Sequence, residues 1–236
     1  MKALRIYIRQ LRKIGKRPFS LTGIFRNFFR WKIFLGVKSL DAGLPWMTFD
    51  AIEKLDDYVK EHMNVFEYGS GGSSIFFARK AGEVISVEHD TEWMNVLEEK
   101  INSTGLKTWK GKLIPPEKNI ENFPGNAEEA KDYISSNENY TGYNFKKYVS
   151  AIDDYHDAYF DLVIVDGRAR PSCIMHAIPK IKEGGWLVVD NTGRTIYHSA
   201  IQEYIVSSFE KVLETCGPTT YMVHFTMTSI WRKKVA

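Results

Sequence analysis

The stretch Asn64–Ala78, NVFEYGSGGSSIFFA, constrains the fold more than any other part of this chain. It reads as a short apolar strand (Val65–Tyr68), a Gly/Ser turn (Gly69–Ser73) and the first turn of a helix carrying Ile75, Phe76 and Phe77. A strand that breaks into glycines and restarts as a helix lets a ligand approach the backbone. It also aims the helix N-terminal N–H groups at that ligand. Twenty-one residues after Glu67, a second apolar run, VISVE, ends in Glu88. An acid at that distance suits the two hydroxyls of a ribose. Together the two features predict a nucleoside-bearing ligand.

Around this stretch, strand and helix alternate. Leu44-Pro45-Trp46 is a turn, and a helix capped by Thr48 or Asp50 runs through His62 into the opening strand. After the second strand, Asp90 or Thr91 caps a helix closed by Gly105, and Leu106–Ile114 is a third strand stopped by Pro115-Pro116. Residues 115–150 are polar and irregular, with short helices expected near Ala127–Ile134 and Phe145–Tyr155; such an insertion suits a lid or substrate loop. Phe160–Val165 and Trp186–Val189 are further strands, ending in Asp166-Gly167 and Asp190-Asn191. A helix between them reaches Lys182, and another spans Thr195–Val206. Runs around Lys211–Thr215 and Thr220–Trp231 read as a closing antiparallel pair. The expected fold is α/β, a doubly wound, mostly parallel seven-stranded sheet with a C-terminal antiparallel hairpin. Its polar strand ends would converge on one rim, where such sheets bind ligands.

Charge divides the chain. Residues 1–40 hold eleven Lys/Arg and no Asp or Glu, whereas residues 41–236 hold 21 basic and 29 acidic residues. The division predicts a basic amphipathic arm (1–43) and a folded domain (44–236). The arm places Leu4, Ile8, Leu11 and Ile14 near helical spacing, ends that pattern at Pro18, and adds Phe19, Phe25, Phe28, Phe29, Trp31 and Phe34. It suits peripheral contact with an anionic membrane, an extension packed on the domain or a second subunit, or an organellar transit peptide. Nucleic acid is not an expected partner, because the basic charge does not continue over the body. Cys173 and Cys216 show no CxxC spacing, which suits a reducing, cytoplasmic setting. No apolar run approaches the roughly 20 residues of a membrane span.

The ordered motifs EYGSGGS, VISVEHD and FDLVIVDG, with the closing hairpin, resemble the class I S-adenosylmethionine-dependent methyltransferases over roughly residues 44–231. Ser73 takes the place of that family's third glycine. The resemblance implies a cofactor site at Glu67, Tyr68, Gly69, Ser70, Gly71, Gly72, Ser73, Glu88, His89 and Asp166. Backbone N–H groups at Gly69–Gly71 would meet the methionine carboxylate, Glu67 would face the ligand's positive charges, Glu88 would hold the ribose, and His89 would pack near the adenine. Asp90 is expected as a helix cap.

Asp166, Asp190 and Asn191 further resemble the Mg²⁺ site of catechol-type O-methyltransferases, where hard oxygen donors suit that ion. The chain departs from those enzymes at Ala169, where they carry a catalytic lysine. Arg168 and Arg170 flank it, as clamps for an acidic acceptor or as structural partners of Asp166. Asp166 and His198 are candidate bases, His176 is expected to pack, and Trp46, Tyr133, Tyr140, Tyr143 and Tyr148 are candidate wall residues. The reading is O-methylation of a small-molecule or glycan-like acceptor. Its rivals are a nicotinamide-dependent oxidoreductase and a non-catalytic, membrane-associated nucleoside-binding module.

Overall fold

The computed structural model describes residues 2–14, 21–118 and 125–235. Its strands are β1 (Asn64–Tyr68), β2 (Glu83–Glu88), β3 (Trp109–Leu113), β4 (Glu117–Lys118), β5 (Tyr143–Asn144), β6 (Phe160–Val165), β7 (Ile181–Asp190), β8 (Phe209–Gly217) and β9 (Thr226–Lys233). Its helices are α1 (Lys2–Ile14), α2 (Leu21–Phe34), α3 (Ser39–Ala42), α4 (Phe49–Tyr58), α5 (Gly72–Ala78), α6 (Thr91–Thr104), α7 (Lys146–Ser150), α8 (Arg170–Lys180) and α9 (His198–Ala200). Seven strands form one sheet in the order β3-β2-β1-β6-β7-β9-β8. β1, β2, β3, β6 and β7 run parallel, and β9 lies antiparallel between β7 and β8. This is the expected mostly parallel sheet with its closing pair.

Parallel strands are covered on both faces and are therefore apolar on both. Phe66, Tyr68, Val163 and Val165 pack under α7 and α8, against Tyr148, Cys173 and Ile174. Val65, Leu162, Ile164 and Trp186 pack on the opposite face, under α4 and α5 and against Tyr7 and Trp31 of the arm helices. At the carboxyl edge two backbone loops touch. Gly69 takes φ +89°, and a Cβ there would lie 2.9 Å from the Cα of Gly167, so only glycine fits.

The arm is packed on the body. Tyr7 and Trp31 are buried, the Tyr7 ring lies 5.0 Å from Phe225, and the Trp31 indole donates to the Met222 carbonyl at 2.6 Å. The expected stop at Pro18 and the aromatic Phe19 lie outside the described residues.

The irregular segments differ from expectation. In place of a helix at 127–134 there is one 3₁₀ turn, Ala130–Asp132, ended by Tyr133 at φ +58°. The side chains of Asn126 and Asn137 accept from the N–H groups two residues on, local bonds that compete with a helix. The segment after β7 begins as a 3₁₀ turn, passes through α9 and ends as a π-helix, Ile201–Ile205. Residues 220–225 are loop and not strand, with Tyr221 at φ +69° and the chain held by Trp31.

Candidate functional site

The carboxyl ends of β1, β2, β6 and β7 open into one cavity of about 710 Å³. Its wall brings together Gly69–Ser73, Glu88, His89, Asp166, Arg168, Arg170, Asp190 and Asn191. This is the convergence that strand order dictates. Trp46, an expected wall residue, lines it too. Trp93, Arg194, Met222 and His224 also line it, and none of these four is legible as a site residue in the sequence.

On the β1–β2 side the groups are tightly set. Glu88 Oε2 accepts from the N–H (3.0 Å) and hydroxyl (2.9 Å) of Ser70, and Oε1 accepts from the N–H groups of His89 (2.7 Å) and Asp90 (3.0 Å). Burial alone would raise its pKa. The His89 ring and those N–H groups outweigh burial and hold the carboxyl below its ordinary value. His89 Nδ1 lies 2.6 Å from Glu88 Oε1, off the line a hydrogen bond needs. Its Nε2 lies 3.2 Å from the Arg168 Nε. Trp93 leans over the Gly/Ser turn and donates to the Ser70 carbonyl at 2.8 Å, while Asp90 caps α6 as expected.

Three expected cofactor contacts are placed differently. Glu67 is wholly buried beneath the turn, where the Ser74 and Ser86 hydroxyls both donate to Oε2 at 2.6 Å. Burial pushes its pKa up to about 7, the Ser73, Ser74 and Ser86 hydroxyls pull it back, and Asp166 adds to the rise. Its Oε1 has no well-formed hydrogen bond among the described residues. Tyr68 points into the core, its hydroxyl donating to the Val149 carbonyl at 2.7 Å. The N–H groups of Gly69, Ser70 and Gly71 are already engaged by Val87 O, Glu88 Oε2 and Ser74 Oγ. Those of Gly72 and Ser73 have no partner among the described residues.

On the β6–β7 side the charges are less settled. Arg170 donates to the Asp166 carboxylate at 2.9 Å, and its other N–H groups reach the carbonyls of Gly167, Asp166 and Asp190. It ties two strand ends together. Asp190 accepts from the Thr228 hydroxyl at 2.6 Å and from the Asn191 amide. Burial first, and then the charge of Asp166, push Asp190 up to about 7; Arg170 opposes the rise. Ala169 and Asn191 take φ +46° and +59°, so both turns at this edge carry left-handed backbone.

This arrangement does not fit the expected Mg²⁺ site. A guanidinium already sits on Asp166, and both Asp190 oxygens are engaged by neutral donors. A divalent ion would have to displace a buried cation, and among the described residues no group of three or more His, Cys, Asp or Glu side chains could hold a metal.

His198 also falls away from the site. Thr192 N donates to Met227 O, and its hydroxyl meets Ser229 at 2.7 Å, which ties the chain to β9 and leads it away from the rim. His198 lines a separate depression with Lys211, Glu214 and Trp231. The expected tyrosines pack against the core instead of lining this cavity. Tyr140 does brace the site, with its hydroxyl 2.8 Å from His89 Nε2 and its ring under Arg168. His176 packs as expected, between Tyr133 and Asp153.

This sheet order, with one reversed strand inserted near the far edge and a Gly/Ser turn facing an acid on the next strand, is the Rossmann-like fold of class I S-adenosylmethionine-dependent methyltransferases. Among solved structures, a candidate O-methyltransferase from Klebsiella pneumoniae superposes with a TM-score of 0.56 at 13% identity, covering 100% of both chains. A candidate rRNA methylase from Clostridium thermocellum superposes with a TM-score of 0.55 at 12% identity, over 79% of this chain and 94% of that one. A candidate methyltransferase from Streptococcus mutans, solved in complex with SAH (S-adenosylhomocysteine), superposes with a TM-score of 0.51 at 10% identity, over 77% and 94%. At such identities the likeness shows the fold. No family model and no curated protein matches the sequence.

Proposed function

We propose that the protein is an S-adenosylmethionine-dependent methyltransferase acting on an oxygen of a small-molecule or glycan-like acceptor. The observation that carries this reading is Glu88, kept anionic by four donors and facing the same cavity as the Gly/Ser turn and Asp190. The residues fit the cofactor. Glu88 can exchange the Ser70 hydroxyl for ribose hydroxyls. The N–H groups of Gly72 and Ser73 can receive a carboxylate. Glu67, closed off beneath the turn, braces it through Ser74 and Ser86.

When bound, the cofactor supplies a methyl group on a sulfonium. This chain's part is to hold donor and acceptor in line and to remove the acceptor's proton. Asp190, lifted to about 7, is the carboxylate best matched to that proton at neutral pH. It replaces both the expected metal and His198.

Calorimetric titration with S-adenosylmethionine, S-adenosylhomocysteine and NAD separates the rivals, followed by transfer of labelled methyl to a panel of hydroxyl acceptors. Micromolar binding of the first two and turnover on a hydroxyl are expected. Binding of NAD alone would sink the proposal, and cofactor binding without turnover on any acceptor would favour the non-catalytic module.

A further inference from the structure

We propose that a second, smaller cavity beside the rim is an anion subsite, and that the acceptor carries a phosphate or carboxylate held there by Arg168 and Arg194. This rests on the methyltransferase reading. The cavity, about 270 Å³, shares Gly167, Arg168, Arg170 and Arg194 with the larger one. Its described wall holds three arginines and no Asp or Glu, with Ser135, Ser136 and Asn137 of the insertion as further polar groups.

The three arginines are not equivalent. Arg170 is neutralised by Asp166. Arg168 touches His89 and the Tyr140 ring, and Arg194 reaches only the Tyr197 hydroxyl at 3.5 Å, so among the described residues neither has a carboxylate partner. The N-terminus of α8 borders the same space, and its N-cap, Ala169, offers no side-chain acceptor to the first-turn N–H groups. Two guanidinium groups that no carboxylate touches directly, with Asp166 acting on both only at longer range, suit an oxyanion beside a cavity whose described wall holds no acid. The irregular insertion thereby gains a role as the far wall of this subsite.

The test is calorimetric titration of inorganic phosphate and, in a separate arm, malonate, into the protein with and without S-adenosylhomocysteine. Binding of one or both is expected, and the tighter arm names the group. Arg194→Gln should weaken it about tenfold or more, as loss of a charged hydrogen bond does. Arg194→Lys should recover part of the loss, and affinity for S-adenosylhomocysteine should stay within about twofold, which also reports folding. Absence of binding in both arms, or wild-type affinity in Arg194→Gln, overturns the subsite. Failure of S-adenosylhomocysteine to bind would instead overturn the methyltransferase reading, and the anion titration would still judge the subsite.

A different surface carries a second inference: we propose that α1 and α2 seat the protein on an anionic membrane. On α2, Phe25, Phe29 and Ile33 recur every four residues and are 60–68% exposed, while Asn27 and Trp31 on the opposite side are buried. Lys32 flanks this stripe on one side, and Arg26 and Arg30 flank it on the other. On α1, Leu4 and Ile8 are exposed beside Arg5, Arg9 and Arg12. Arg26 and Arg30 pair with Asp50 and Glu53, whereas Arg5, Arg9, Arg12, Lys13 and Lys32 have no carboxylate partner among the described residues. The apolar ridge of α2 with Lys32 beside it, and the arginines of α1 that no carboxylate pairs among the described residues, fit the interface of a bilayer with anionic headgroups.

Co-sedimentation with phosphatidylcholine vesicles containing about a third phosphatidylserine should retain the full chain, with salt and neutral vesicles each weakening it. The triple variant Phe25→Ser, Phe29→Ser, Ile33→Ser should lose at least tenfold in vesicle affinity while binding S-adenosylhomocysteine normally. Equal binding by that variant overturns the proposal. So does a wild-type dimer, seen by sedimentation equilibrium and dissolved by the triple change, that ignores vesicles.

Discussion

Glu88 and Asp190 end two parallel strands of one sheet and are almost equally hidden, at 4% and 2% exposure, yet their ionisation is pushed in opposite directions. Burial opposes charge on both. Glu88 overcomes it because the His89 ring and the backbone N–H groups of His89 and Asp90 lie against its oxygens. Asp190 receives one threonine hydroxyl and one amide and has a second carboxylate, Asp166, near enough to repel it. Depth of burial therefore does not set the charge; the surrounding donors do. On the proposed reading, the β1–β2 half of the rim holds the cofactor and the β6–β7 half exchanges the proton.

The largest effect should come from breaking the proton-exchanging half. Asp190→Asn is expected to lower kcat by about 10²–10⁴-fold, the usual worth of a general base, with S-adenosylhomocysteine affinity changed less than about threefold. In the wild type the base must be deprotonated, so kcat should fall as pH drops below about 7. Steady-state rates against pH with calorimetry on the same samples decide this, and a flat profile would remove Asp190 from the role. On the cofactor half, Glu88→Ala should weaken S-adenosylhomocysteine by about a hundredfold, since two charge-assisted hydrogen bonds to the ribose are lost.

Glu67 sharpens the contrast, being buried on the cofactor side yet raised to about 7. A carboxyl raised on folding stabilises fully below its ordinary value of 4.5, and that contribution is lost as pH climbs through about 7. Between pH 5 and 8 the wild type should lose about 2 kcal/mol that Glu67→Gln keeps, seen as a flatter unfolding midpoint against pH. The smallest effect is expected from EDTA: with Arg170 already on Asp166, turnover should remain within about twofold, and its collapse would reinstate a metal.

What the sequence makes legible follows the same division. The strand, Gly/Ser turn, helix and following acid lie within 25 residues, Asn64–Glu88, and each has a local signature, so this half is readable in order. Even there, the inward turn of Glu67 depends on Ser74 and Ser86, two serines inside apolar runs whose spatial meeting no local pattern states. Trp93 fits the apolar periodicity of α6 and reads as core, although its indole N–H holds the turn. The other half is assembled from distance: Met222 and His224 are placed by a tryptophan 191 residues earlier. His198 follows an inviting Asp-Asn turn, but pairing with β9 carries it off.

The reversed strand β9 has a consequence for the order of assembly. β8 and β9 are consecutive and can pair first as a hairpin, which must then add its β9 edge to β7. Until it does, β7 keeps an unpaired edge, and Asp190 lacks Thr228. Pairings that close long loops form late. On the proposed reading, the cofactor side of the cavity, built on β1, β2 and the turn between them, needs neither β8 nor β9, so it can be complete while the other side is still open. A partly folded chain would then hold its cofactor before it could react, and ligand added during refolding would steady the molecule ahead of the step that confers activity.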